Sequence, residues 1–390
     1  MVKMTKFEQI PIDKMSIPQG ELNIDNKTRS NLFAWTGQFS PQFVETLLNY
    51  YAVKDDIILD PFAGSGTTLG EAARKGISAY GIELNPSAYY MAKIYELANK
   101  PILKREKLIQ ETEEILASIL QTEQILPTLI ERIEHDHSSE LSTLLCALVV
   151  LLDLFNNPLS LTLLFTKWEA LKNTVLKLPY TDAEIHMDMG DSRHFSHQVK
   201  KATLLITSPP YINVLNYHQK YRRSVETLGF DVLAIAKKEI GSNRKNRSNR
   251  LLTVIQYCID MALSIKEAIY SCSPKARMIY VVGRESNVLG YSFCNSRLIY
   301  EIATEIFQLP LLLRQERVFK NRFGKMIYED ILHFENIQSE ITLCDKDIEA
   351  AAREIAVRIL LEKVQLLPNS KNIDFLNKAI EKAETVQRSE

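Results

Sequence analysis

A short apolar run, Ile57-Ile58-Leu59, leads straight into Asp60-Pro61-Phe62-Ala63-Gly64-Ser65-Gly66-Thr67-Thr68. An unbroken apolar run suits a strand buried on both faces of a parallel sheet. Leu69, Ala72 and Ala73 follow at helical spacing, and Gly76 stands where that helix would stop. Residues 78–82 read as a second strand with Glu83 at its tip. The unit is strand–loop–helix–strand, which commits this part of the chain to a parallel α/β sheet.

The loop predicts a nucleoside-cofactor site. Gly64 and Gly66 permit positive φ and close approach of a ligand to the backbone, and amides at the start of the helix face outward. Two carboxylate oxygens on Glu83 suit the two hydroxyls of a ribose. A dinucleotide fingerprint would need a third glycine one position before Gly70. Asp60 would repel a pyrophosphate but can pair with an ammonium group. A methyl donor of the S-adenosyl-L-methionine type is therefore expected over a nicotinamide.

Downstream, residues 99–177 carry apolar side chains at helix spacing, with turn signals only near Pro127 and Pro158. Strand character returns at 184–189, before Gly190-Asp191-Ser192-Arg193, and at 203–206, before Thr207-Ser208-Pro209-Pro210-Tyr211. Residues 277–282 read as another strand. Residues 316–318 and 327–334 read as a closing hairpin around Arg322-Phe323-Gly324. The expected fold is α/β, a doubly wound, mostly parallel sheet with an antiparallel edge. Its divisions are an N-terminal segment and cofactor half (1–98), a helical insertion (99–180), a catalytic half (181–335) and a helical tail (336–390), with 351–367 the clearest amphipathic helix.

The 390 residues carry 47 basic and 48 acidic side chains, so bulk charge does not hold nucleic acid and any basic surface is local. Such a surface is legible at 218–250, where Lys220, Arg222, Arg223, Lys237, Lys238, Arg244, Lys245, Arg247 and Arg250 face only Glu226, Asp231 and Glu239. Phosphate contacts from Lys220, Arg222, Arg244, Lys245, Arg247 and Arg250 are expected, with Tyr217 and Tyr221 adding stacking or wedge contacts. The five cysteines form no C-x-x-C pair, so reduced thiols and a cytoplasmic setting are expected. No segment of ~18 uninterrupted apolar residues occurs, so no membrane partner is expected. His135-Asp136-His137 lacks further ligands nearby, so no metal is expected.

The motif at 60–68 resembles the cofactor motif of the amino-group DNA methyltransferases. Phe39-Ser40-Pro41-Gln42-Phe43-Val44 is similar to the segment that in this family packs over the methionine end of the cofactor. Ser208-Pro209-Pro210-Tyr211 resembles the catalytic tetrapeptide, in the form associated with cytosine N4. The resemblance covers roughly 28–95 and 184–335. It implies a Rossmann-like class I methyltransferase fold and S-adenosyl-L-methionine held by Phe39, Asp60, Phe62, Gly64, Ser65, Gly66, Thr67, Thr68 and Glu83, with Asp191 near the adenine. It also implies double-stranded DNA as substrate and a restriction–modification setting with a cognate restriction endonuclease.

The tetrapeptide makes chemical sense for that reaction. An exocyclic amino group is a poor nucleophile because its lone pair is delocalised into the ring. Acceptors at Ser208 Oγ and the Pro209 carbonyl, aimed at its two hydrogens, would localise that pair. The prolines fix φ and hold the carbonyl direction. Tyr211 offers a face for an extruded base. No Pro-Cys pair occurs, so a cysteine nucleophile is not expected. Cytosine N4 leads, followed by adenine N6, then RNA guanine N2, then a non-catalytic nucleic-acid-binding module; a nicotinamide dehydrogenase ranks below these. Target recognition is expected from 218 to about 274, ahead of the insertion or the tail.

Overall fold

A computed structural model of the chain describes residues 5–122, 124–135, 139–196, 200–212, 216–242, 246–321, 324–337 and 341–390. Its main sheet comprises β1 (Ile57–Asp60), β2 (Ser78–Glu83), β3 (Ile185–Met189), β4 (Ala202–Thr207), β5 (Cys272–Gly283), β6 (Leu311–Lys320) and β7 (Met326–Glu335). Their order across the sheet is β3-β2-β1-β4-β5-β7-β6. The first five strands run parallel, and β7 is antiparallel to both β5 and β6. This is a Rossmann-like, doubly wound α/β sheet with an antiparallel edge. The chain moves outward from β1 through β2 to β3, then returns to place β4 on the other side of β1. Ligands of such sheets collect at this reversal, beyond the carboxyl ends of the strands. The loop after β1 and the tetrapeptide after β4 both leave the sheet there.

Successive strand residues point to opposite faces. Ile58, Ala79, Leu204 and Ile206 pack into one apolar layer, and Leu59, Tyr80, Ile82 and Leu205 into the other. Helices Pro41–Tyr51 and Thr67–Lys75 cover the first face. Helix Leu252–Ser271 covers the second and is buried along most of its length. Within the stretch expected to recognise the target, 218 to about 274, helix Leu252–Ser271 is mostly core, and the exposed described residues lie mainly before it.

Both segments outside the family resemblance are built into these layers. Helices Ile102–Thr122, Ile125–His135, Glu140–Leu152 and Leu161–Lys177 bury Leu144, Leu148, Trp168 and Leu171 in the cluster that holds Ile58 and Leu204. Buried Arg105 donates to the carbonyls of Val175 (2.9 Å) and Leu178 (2.7 Å), satisfying groups that a helix end leaves open. In the tail, helix Asp345–Leu366 sends Ile348, Ala352, Ile355 and Ile359 into the opposite cluster, against helix Leu252–Ser271.

Two strands run longer than their sequence suggests. β5 begins at Cys272 because Pro274, which lacks an N–H, falls where the β4–β5 register shifts between Ala202 and Leu204. β6 runs from Leu311 because its charged residues are paired: Arg314 Nη2 donates to Asp330 Oδ1 at 2.9 Å across the β6–β7 ladder. Residues 322–323 of the expected hairpin turn lie outside the described residues. No described helix is long and apolar enough to cross a membrane.

The tail also reaches the carboxyl edge of the sheet. Fully buried Asp260 accepts from Arg193 Nη1 (2.8 Å), the Ser389 amide (2.9 Å) and Ser389 Oγ (2.7 Å). Removing one partner of a buried ion pair typically costs about 3–5 kcal/mol. Asp260→Ala is expected to fall near the lower end, about 3 kcal/mol, because Arg193 keeps Asp191. Urea unfolding reads this, and a loss below about 1 kcal/mol would contradict the role assigned to the pair.

Candidate active site

The tips of β1 and β4 are joined by one carboxylate. Asp60 is 1% exposed and accepts from Thr68 Oγ1 (2.6 Å), Thr207 Oγ1 (2.7 Å) and the Phe62 amide (3.2 Å). Burial pushes its pKa up to about 6, against the lowering effect of the two threonine hydroxyls. Asp60 thus fixes the start of the loop, the first turn of helix Thr67–Lys75 and the residue before Ser208. It stands behind the cavity wall, where its oxygens bind threonines, rather than at the cavity surface as an ammonium partner.

In front of it, one cavity spans both motifs. Its lining includes Phe39, Phe62, Gly64, Thr67, Glu83, Asp191, Ser208 and Pro210, all singled out in the sequence. Ser65, Gly66, Thr68, Pro209 and Tyr211 are not part of the lining. Ser65 Oγ instead donates to Gln38 Oε1 at 2.6 Å, drawing the 35–39 segment over the loop. Asn31 Nδ2 tethers the same segment, donating to the Phe39 carbonyl (2.8 Å) and Thr67 Oγ1 (3.0 Å).

The two glycines differ in what they accommodate. A Cβ on Gly66 (φ +86°) would lie 2.8 Å from Ala92 Cα and 2.8 Å from Tyr95 Cδ2. Its constraint is therefore helix packing, not ligand approach. Gly64 (φ +54°) lines the cavity, and a Cβ there would be 3.4 Å from Trp35 Cδ1.

Glu83 accepts from the Gly64 amide (2.9 Å) and the Asn85 amide (2.7 Å). Burial raises its pKa to about 7, against those two amide bonds. Asp191 is held by Arg193, whose Nε and Nη2 donate to Oδ1 (2.9 Å) and Oδ2 (2.6 Å). Arg193 is itself 1% exposed and bonds onward to Asp260 and the Ser389 carbonyl.

Beyond β4, the tetrapeptide is braced from the antiparallel edge. The Tyr211 hydroxyl interacts with Ser208, the Gly283 backbone and Glu329, and burial pushes the phenol far above its usual range. Glu329 in turn accepts from Arg317 Nη1 at 3.0 Å. The Tyr211 ring fills the space beside Gly283, where a Cβ would lie 2.6 Å from Cε2. The ring is thus a packing element here, where sequence had suggested an open stacking face. The aromatic rings in the cavity wall are Trp35, Phe39, Phe62 and Tyr217.

Trp35 carries no signal in the sequence beyond lying four residues before Phe39. It nevertheless stacks on both Tyr217 (6.0 Å, 17°) and Tyr221 (6.3 Å, 11°). The two tyrosines expected to meet nucleic acid thus clamp the N-terminal segment instead. Of the basic residues, Lys220, Arg247 and Arg250 are exposed, and Arg222 Nε pairs with Glu226 at 2.8 Å. None of these four lines the cavity. Arg244 and Lys245 lie outside the described residues, as do Asp136 and His137 of the sequence beside His135.

Chemically, the cavity offers three carboxylates (Glu83, Asp191, Glu239) and apolar rings, with Lys238 the one basic residue in its described lining. That set suits a cationic nucleoside. Ser208 supplies a hydroxyl at the same wall.

One comparison with known proteins falls on the first part of this site. Residues 16–94 match the family model described as DNA methylase. A 75-residue stretch, 19% of the chain, is 39% identical to the type II methyltransferase M.MjaII of Methanocaldococcus jannaschii and spans 14% of that protein's length. Among solved structures, TrmN from Thermus thermophilus aligns over 77% of this chain and 50% of its own, with 13% identity and a TM-score of 0.34. A SAM-dependent methyltransferase from Methanosarcina mazei aligns over 75% of this chain and 97% of its own, with 12% identity and a TM-score of 0.35.

Gly66→Ala is expected to cost about 2–5 kcal/mol, from left-handed strain plus overpacking. Gly64→Ala should cost only the strain, about 1–2 kcal/mol. Chemical denaturation of the two variants checks this, and equal losses would contradict the distinction.

Proposed function

We propose that the protein is an S-adenosyl-L-methionine-dependent methyltransferase acting on an exocyclic amino group of a base in double-stranded DNA, cytosine N4 ahead of adenine N6. The observation that carries this reading is the single cavity in which Ser208 and Pro210 share walls with Gly64 and Glu83, locked by the Thr207–Asp60 hydrogen bond. The DNA methylase match over 16–94 supports it. When bound, the cofactor supplies an electrophilic methyl group on sulfur.

The chain's own residues do the rest. Glu83 accepts from the ribose hydroxyls, and Asp191, oriented by Arg193, accepts from the adenine amino group. Phe39 and Phe62 exclude water from the methionine end. Ser208 Oγ, at the cavity wall, accepts a hydrogen of the extruded amino group and turns its lone pair toward the methyl donor. Methyl transfer would release one amino proton, which Ser208 Oγ, accepting its hydrogen bond, would pass on to solvent. Tyr211, anchored by Glu329, holds Ser208 in position. Lys220, Arg222, Arg244, Lys245, Arg247 and Arg250 meet phosphates, which gives affinity and register without reading sequence. Recognition is assigned to 218–250. The setting is a restriction–modification system with a cognate endonuclease, in keeping with the type II label of the archaeal relative.

Mass spectrometry of nucleosides from DNA of cells expressing the protein tests the reading. N4-methylcytosine is expected, and its loss with Ser208→Ala, which should lower turnover by about a hundredfold or more while leaving cofactor affinity nearly intact. Methyl label transferred only to RNA would overturn the assignment to DNA.

A pH dependence follows from Glu83. Burial keeps its carboxyl protonated below about 7, whereas the ionised form is the better acceptor for two hydroxyls. Cofactor affinity should therefore rise as pH increases through 7 and flatten in Glu83→Gln. Calorimetric titration across that range reads it, and an unchanged slope in the variant would assign the titration elsewhere.

A further inference from the structure

Glu239 holds a place in the cavity that neither motif accounts for. It directly follows helix Val232–Lys238 and is 7% exposed. Its Oε2 lies 2.8 Å from Nδ1 of His218, itself 3% exposed. Its Oε1 is buried and receives no hydrogen bond among the described residues. A buried carboxylate oxygen is costly to leave without a donor.

The surroundings of Glu239 say where that oxygen is of use. The residue stands in the wall between the main cavity and a second hollow bordered by Ser242, Gln256 and Ser389. Its charge is felt by Glu83 and by the Tyr217 hydroxyl, and both residues line the main cavity. The neighbouring Lys238 carbonyl lies 3.4 Å from Nη2 of Arg193, the guanidinium that orients Asp191. Glu239 is thus set along the path between Asp191 and Glu83, the stretch that a nucleoside would occupy.

We propose that Glu239 Oε1 is a further ligand-binding acceptor, taking an N–H or O–H of the adenosine portion of the cofactor, and that His218 is the positioning residue that turns it toward the cavity. The assignment rests on the methyl-donor reading of the site. It calls for ligands with an adenine nucleoside at one end. It places no requirement on their amino-acid end, because the contacts that locate Glu239 run through Lys238 and Arg193 to Asp191.

The test is calorimetric titration of the full chain with S-adenosylmethionine, S-adenosylhomocysteine and 5′-methylthioadenosine, which lacks the amino-acid end. Glu239→Ala should weaken all three by a similar factor, about tenfold. Glu239→Gln, which keeps the shape and a neutral acceptor, should weaken them by less. His218→Ala should lose part of the affinity, and His218→Asn, whose amide nitrogen can take the place of Nδ1, should recover it. Thermal melts of the same samples identify any variant that unfolds; Glu239→Gln then carries the test alone, with a Kd equal to wild type counting against the proposal. Affinities of Glu239→Ala within twofold of wild type would overturn it. So would intact cofactor affinity with a fall in turnover, which would hand the oxygen to the target base. Failure of the wild-type protein to bind S-adenosylmethionine at all would defeat the methyl-donor reading itself, a separate outcome.

Discussion

Three hydrogen bonds to one buried carboxylate hold the carboxyl edge of the sheet together. Asp60 closes β1, takes the first turn of the following helix through Thr68, and reaches across to the last residue of β4 through Thr207. Neighbouring parallel strands lie only ~4.8 Å apart, so this bracket sets the spacing between the cofactor loop and the tetrapeptide. Because the carboxylate is desolvated, its donors must be present for it to remain there at modest cost. Hydroxyls suit this better than a lysine would, since they satisfy the acceptor without importing a second charge beside Glu83.

The same economy of charge recurs around the cavity. Asp191 has Arg193 and Glu239 has His218, and neither partner lines the ligand space. The acceptors are thereby aimed before any ligand arrives, and preorganised acceptors need little reordering when one binds. Arg193 also ties the Asp191 side of the cavity to the tail, through Asp260 and Ser389. The tail is therefore part of the cavity's edge and not an appendage.

Much of this was legible from residues 56–85 and 203–211, because strand, loop and chemistry there coincide in a few consecutive positions. The parallel sheet, the closing hairpin and the cavity residues Gly64, Glu83, Asp191 and Ser208 all follow from such local signals. What escaped depends on contacts between distant segments. Glu239 read as one acid opposing a basic run, and nothing local reveals that His218 and Glu83 would be its neighbours. Tyr211 read as a stacking surface because an exposed aromatic after two prolines suggests one, but the bare backbone of Gly283 gives its ring a place to pack. Charged residues inside β6 hid that strand, since their partners on β7 are known only once the ladder is formed. The insertion and the tail looked separate because helical periodicity tells which face is apolar but not what covers it.

Trp35 gives the cavity an optical signature. Of the chain's two tryptophans, Trp168 is 1% exposed within the helical layer, whereas Trp35 is half-buried in the cavity wall and stacked on Tyr217 and Tyr221. An indole lying between phenol rings and the ligand space changes its surroundings whenever that space fills or the clamp opens, while its deeply buried counterpart does not. The molecule thus carries an intrinsic fluorescent gauge of occupancy, needing no label, with a constant internal reference built into the same chain.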